Sequence, residues 1–164
     1  MSYPEKRTLA TLSTMSLIFA VYCIYAFTRF QIQDPLRTWA ITMLIFSGIA
    51  IIVMVIVQIL FHVLLSVEIA VKEAVTDPDV DDKKIGQTIK NEFIEDERDK
   101  MLAHKSMQVG YIIRGGGLIA GLVSLVLNAP PAIMLNIIFA ATFLGSVIEG
   151  IVTLMYYRKG FSNA

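Results

Sequence analysis

Two opposite charges interrupt the apolar segments in the second half of the chain. Arg114 lies nine residues after Lys105, and Glu149 lies nine residues before Arg158. At 1.5 Å per helical residue, each charge is about 13 Å from the charged end of its segment. An ionisable side chain at such a depth is costly, and by default it marks a functional site with a partner. We therefore predict that Arg114 and Glu149 are each other's counter-ion.

Two polar side chains of an earlier apolar segment could join this pair. Gln58 and His62 are four residues apart, so they share one face of a helix. The resulting cluster has two interpretations. It is either a buried ion pair that locks two helices together, with hydrogen-bonding neighbours, or a titratable or ligand-binding site. In the second case the cluster relays protons through His62 or binds an anion.

Small and polar residues form one face of the segment that holds Arg114. Gly117 and Gly121 match a GxxxG pattern, which permits close approach of two helix backbones. The next apolar segment carries a matching polar face that includes Glu149. We predict that the two faces meet. Their members, at helical spacing, are Gly110, Arg114, Gly117, Gly121, Ser124 and Asn128 on one side and Thr142, Ser146, Glu149, Thr153 and Tyr156 on the other.

A charged run before the third apolar segment offers a different chemistry. Its carboxylates are Glu92, Asp96, Glu97 and Asp99. Three of them are spaced four and three residues apart, and such a face could hold Mg²⁺ or Ca²⁺. The alternative, which we favour, is a solvated surface on which Asp96 pairs with Lys100. The sequence therefore predicts no bound metal.

Other kinds of catalytic or cofactor site are not indicated. The two histidines occur without a cysteine cluster or a Glu-x-x-His pair, which argues against zinc and di-iron sites. A haem held by His62 and His104 would need two subunits. No serine, cysteine or threonine lies in a recognisable nucleophile motif. We therefore expect no cofactor, and an enzyme ranks third, behind the two functions described below, because no catalytic constellation is visible.

Four long apolar blocks must position these residues, and hydrophobic residues make up 55% of the chain. A helix needs about 20 apolar residues to cross a bilayer, and each block is long enough. The expected fold is all-α: a four-helix transmembrane bundle in a single domain of residues 1–164. Ile85, Ile89 and Phe93 recur every four residues and predict a cytoplasmic amphipathic extension between helices 2 and 3. The expected ranges are 8–28, 39–67, 107–127 and 132–156 for the spans and 68–106 for the extension.

The basic residues predict the orientation in the membrane. Eleven lie before the first span, between the second and third, or after the fourth, whereas only Arg29 and Arg37 lie on the opposite side. The positive-inside rule then places both termini in the cytoplasm of a multi-pass protein of the cell membrane. Acidic residues in the same segments balance the basic ones, which argues against direct nucleic-acid binding. A bundle this small with a glycine-rich face is expected to form a dimer in the lipid bilayer.

Several short motifs give the chain a resemblance to a known group. They are Asp96-Glu97-Arg98-Asp99, the following Lys105 and Tyr111, His62, and the ending Tyr156-Tyr157-Arg158-Lys159-Gly160. With these motifs the chain resembles a group of uncharacterised small four-span bacterial membrane proteins. The resemblance implies a bacterial inner-membrane protein and a cytoplasmic partner such as a helix-turn-helix regulator.

Two functions from different classes follow from these residues. The first is a non-enzymatic regulatory or interaction protein whose contact surface is the cytoplasmic helix of residues 92–105. The second is a small transporter or proton- or ion-linked carrier that uses His62, Arg114 and Glu149. The two differ in which part of the molecule meets the partner or the solute.

Overall fold

The structure is a computed structural model that describes residues 3–29, 35–76 and 97–159. Within these ranges it contains four helices: α1 (Tyr3–Arg29), α2 (Leu36–Thr76), α3 (Glu97–Val126) and α4 (Pro131–Lys159). Apart from Pro35 and residues 127–130, every described residue is helical. All four helices are long and apolar enough to cross a membrane, which confirms the expected all-α, four-span architecture.

The predicted cytoplasmic extension falls mainly outside the described residues. Glu92, Asp96 and the pattern of Ile85, Ile89 and Phe93 belong to residues 77–96, between α2 and α3. The described ends of the extension are helical and continuous with the neighbouring spans. At about 1.5 Å per residue, the 41 residues of α2 measure about 60 Å, roughly twice the thickness of the hydrocarbon core.

The connection between α3 and α4 is a tight turn. Asn128 has a φ of 61°, a left-handed conformation that asparagine tolerates better than most residues. The amide of Ala129 donates to the carbonyl of Ser124 at 2.9 Å, and that of Asn128 to Leu125 at 2.9 Å. These two bonds form a Schellman motif, which satisfies the last carbonyls of α3. Pro131 is then the first residue of α4, where a missing N–H costs nothing.

α3 and α4 form an antiparallel hairpin with close backbone contact. Gly121 lies opposite Ile138, Gly117 opposite Ala141, and Gly110 opposite Glu149, so that residue numbers rise on one helix as they fall on the other. The contacts between α3 and α4 are the most extensive between any two helices described. The glycine face of α3 is therefore the face that packs on α4, and the predicted packing residues Gly110, Gly117 and Gly121 all lie in this interface.

α4 also packs against α1 and α2, and is therefore the central helix of the bundle. Tyr22 of α1 is buried, and its hydroxyl donates to Asn136 Oδ1 at 2.6 Å. The ring of Tyr22 also contacts Phe139, with 4.5 Å between centroids, and that of Phe19 stacks on Phe143. At the other end of α1, Lys6 forms an ion pair with Glu68 of α2, with 3.5 Å between Nζ and Oε1. The charged end of the bundle is thus the end where α1 and α3 begin and α4 ends.

Candidate functional site

The structure has the ion pair that the equal depth of its two residues predicts. Arg114 Nη2 donates to Glu149 Oε2 at 2.8 Å and to Ser146 Oγ at 3.1 Å. The side chain of Arg114 is 28% exposed and that of Glu149 is 29% exposed. The pair therefore lies between α3 and α4 with one side open.

Two glycines leave the room that this pair occupies. A Cβ at Gly145 would lie 2.8 Å from Arg114 Cγ, and a Cβ at Gly110 would lie 2.7 Å from Glu149 Oε2. Either distance is too short for a carbon without a shift of the neighbouring atoms. The absence of both side chains therefore lets Arg114 lie across α4 and reach Glu149 one turn further along.

An aromatic ring completes the surroundings of the guanidinium group. Arg114 Cζ lies 5.6 Å from the centroid of the Tyr111 ring. This distance is within the range of a cation–π interaction, which is worth about 0.5–1 kcal/mol at exposed sites. The Arg114 head group is thus held by a carboxylate, a hydroxyl and an aromatic face.

The ion pair forms part of the wall of a cavity of about 360 Å³ at the charged end of the bundle. All four helices contribute to its lining. The polar lining side chains are Arg7, Thr8, Thr11, Gln58, Arg114, Ser146, Glu149, Thr153 and Tyr157, and the apolar ones include Leu12, Met15, Met54 and Met107. The arrangement is a partly open cavity with polar and apolar walls, in a bundle whose outer surface is largely apolar.

The structure brings three of the four predicted cluster residues to this cavity. Gln58, Arg114 and Glu149 are among its lining residues. His62 lies one turn beyond Gln58 on α2 and is exposed, and its carbonyl accepts a hydrogen bond from Ser66 at 2.9 Å. A direct role of His62 in the cluster stays a prediction.

The face of α4 that meets α3 differs in part from the predicted one. Thr142 is exposed, and its hydroxyl donates to Ile138 within α4. The residues that pack on α3 at that level are instead Ala141 and Gly145. Sequence reasoning missed both, although Ala141 and Gly145 form a small-xxx-small pattern and Glu149 follows four residues later on the same face.

Further lining residues were also missed as members of the site. Arg7 and Tyr157 lie near helix ends, and from the sequence Arg7 was used only for the orientation in the membrane and Tyr157 only as part of the C-terminal motif. Thr11 belongs to a hydroxyl-rich stretch of α1, in which Ser13 and Thr14 donate to carbonyls of their own helix. The sequence feature that could have identified Arg7 as a member of the site was its positive charge, at the same end of the bundle as Arg114.

The acidic run is described only in part. Glu97 and Asp99 lie in the first turn of α3, where a negative charge is favourable beside the positive end of the helix dipole. In the part of the chain that the structure describes, no three histidine, cysteine, aspartate or glutamate side chains come together as a metal site would require. Glu92 and Asp96 lie outside that part.

Comparison with known proteins gives no relative for this chain: no family model matches it, and neither a curated protein nor a solved structure does. The resemblance to small four-span bacterial membrane proteins therefore stays a prediction. The functional argument accordingly depends on the geometry of the hairpin, the ion pair and the cavity.

Proposed function

We propose that this protein is a small integral membrane protein of the regulatory or interaction type, which acts on a cytoplasmic partner through the first turns of α3. The supporting observation is that α3 is one unbroken helix from Glu97 to Val126. It joins the charged segment of residues 97–105 directly to Arg114. A displacement of α3 at the ion pair would therefore also displace the exposed start of the same helix.

The beginning of α3 has the surface that such a role needs. Leu102 and Ser106 are fully buried, whereas Arg98, Lys100 and His104 are exposed. This part of α3 is thus fixed to the bundle on one side and presents charged groups on the other. The excess of basic residues at this end supports a cytoplasmic location, in a protein of the cell membrane with both termini inside. The implied partner is a soluble protein such as a helix-turn-helix regulator.

Site-specific photocrosslinking in native membranes tests this function. A photoreactive amino acid in place of Arg98 should give an adduct with one soluble cytoplasmic protein, which mass spectrometry identifies. The matched control is Leu44, which is 72% exposed on an apolar span and should crosslink only to lipid. Adducts at position 98 with lipid or with this chain alone would reject the regulatory function.

A second function, a small transporter or a proton- or ion-linked carrier, is favoured by a separate observation. The cavity combines an ion pair with hydroxyl and amide groups inside an otherwise apolar bundle, as transport pathways in membranes do. Proteoliposomes that contain a pH-sensitive dye would test it. A carrier predicts proton or solute flux that Glu149→Gln abolishes and Arg98→Gln leaves unchanged, whereas the regulatory function predicts no flux.

Self-association is part of the same proposal. Gly115 and Gly116 have open space where their side chains would be, on a face of α3 that α4 does not cover. Such a face could receive a second copy of the chain, and a two-fold dimer is the default assembly. Light scattering of the detergent-solubilised protein should give a protein mass of two chains, and a mass of one chain would contradict the dimer.

A further inference from the structure

We propose that the cavity binds a small amphiphilic organic anion. Its carboxylate or phosphate group would lie against Arg114 and Arg7, and its apolar part would lie against the methionine and leucine side chains. This proposal gives the carrier function its ligand class and relies on that function only for the ligand's biological role. Binding itself is a property of the cavity.

The charges of the lining favour an anion. Two guanidinium groups, of Arg7 and Arg114, and one carboxylate, of Glu149, are the charged groups of the lining. A guanidinium group keeps its positive charge when one of its nitrogen atoms is already paired, and its other N–H groups still attract an oxyanion. Apolar helices surround the cavity, and a low dielectric strengthens the attraction of that charge for an oxyanion.

The lining also offers several hydrogen-bond donors from which an oxyanion could accept. Both hydrogen bonds of Arg114 use Nη2, so the three N–H groups on Nε and Nη1 have no partner among the described residues. The Thr11 hydroxyl and the Gln58 amide line the same cavity, are half-buried, and likewise lack a partner within the described ranges. The oxygen atoms of a carboxylate or phosphate would accept from these donors.

The rest of the lining indicates that the anion has an apolar part. Leu12, Met15, Met54 and Met107 contribute to the same wall. Methionine is unbranched and flexible, so it adapts to apolar ligands of different shape. A volume of about 360 Å³ falls within the range of small-molecule sites and is larger than an inorganic ion needs. An amphiphile would use both parts of the cavity.

Equilibrium dialysis with radiolabelled decanoate tests the proposal on the full-length protein. The protein is placed in nanodiscs of uncharged phosphatidylcholine, and empty nanodiscs measure partitioning into lipid. Saturable binding is expected, with competition by unlabelled decanoate and by decyl phosphate. Decanol and decyltrimethylammonium have the same tail without the anion and should not compete. Equal competition by decanol would overturn the proposal.

Variants then assign the binding to the cavity. Arg7→Gln removes one charge near the start of α1 and should weaken decanoate binding about tenfold or more. Lys72→Gln removes one positive charge at the same end of the bundle but outside the cavity, and should leave the dissociation constant unchanged. Arg114→Leu/Glu149→Leu removes the pair without leaving an unpaired charge and should abolish saturable binding, with folding checked by thermal unfolding. Unchanged affinity in both cavity variants would reject the site.

Two further measurements distinguish between a lipid and a soluble ligand, and between the carrier and the regulatory function. If phosphatidylglycerol in the nanodiscs suppresses decanoate binding, the natural ligand is a lipid with an anionic headgroup, and if it does not, the ligand is a soluble organic anion. Binding without uptake of decanoate by proteoliposomes would retain the site and reject the carrier. Absence of binding, together with a soluble adduct at position 98, would reject the site and leave the regulatory function intact.

Discussion

The Cβ of Ala141 occupies the space that a side chain at Gly117 would need. A Cβ is attached directly to the backbone and cannot turn away, so the two helix axes are held at the separation that this contact permits. The register of the α3–α4 hairpin therefore requires glycine at position 117.

Gly117→Ala should destabilise the detergent-solubilised protein by about 1–3 kcal/mol, because the added methyl group overpacks a rigid contact. Gly48→Ala on α2 is the matched control, since no atom lies within 4 Å of the added carbon at that position. It should leave the thermal midpoint unchanged or raise it slightly, because alanine favours helix. The combination Gly117→Ala/Ala141→Gly moves the methyl group to the other helix and should recover most of the loss. A Gly117→Ala protein as stable as the Gly48→Ala protein would contradict the close contact.

The ion pair predicts a non-additive pair of substitutions. Arg114→Leu leaves Glu149 without its counter-ion, and Glu149→Leu does the same to Arg114. Each should cost about 3 kcal/mol, at the lower end for buried pairs because both groups are partly exposed to the cavity. The double substitution to leucine should recover most of that loss. Chemical denaturation of the four proteins measures the coupling, and simple addition of the two losses would show that the residues are not partners.

The hydrogen bond between Tyr22 and Asn136 should contribute measurably to the contact of α1 with α4. Tyr22→Phe removes only the hydroxyl and should cost about 0.5–1.5 kcal/mol, since Asn136 Oδ1 would lose its donor. Tyr25→Phe is the control, because Tyr25 is 38% exposed on the same helix. Equal effects of the two substitutions on the thermal midpoint would argue against the bond.

The orientation in the membrane can be checked with single cysteines. In a Cys23→Ala background, a cysteine at Ala129, in the turn after α3, should react with an impermeant thiol reagent added to intact cells. A cysteine at Lys72, near the end of α2, should react only after the membrane is opened. The reverse labelling pattern would contradict the orientation predicted from the basic residues. The cavity would then lie at the outer side of the membrane.

Much of the architecture was predictable from the chain alone. Each apolar block is long enough to cross a bilayer, so the number of helices and their alternation follow from length and hydropathy. Pro35 and the pair Pro130 and Pro131 mark where helices begin again. The depth of Arg114 and Glu149 also follows from counting, because rise per residue is constant along a helix. Their contact could therefore be predicted without a structure.

The rotation of each helix about its axis, and so the members of the cavity, was decided only by the tertiary structure. A polar face read from spacing is broad and does not distinguish Thr142 from Ala141, which are neighbours on one turn. The choice depends on which side chains allow two backbones to touch, and only the packed hairpin shows that a Cβ at Gly117 would collide with the Cβ of Ala141. Arg7 and Gln58 reach the cavity because of how α1 and α2 pack against α4, whereas His62, one turn further along α2, is exposed. Such contacts join residues far apart in the chain, and no local spacing records them.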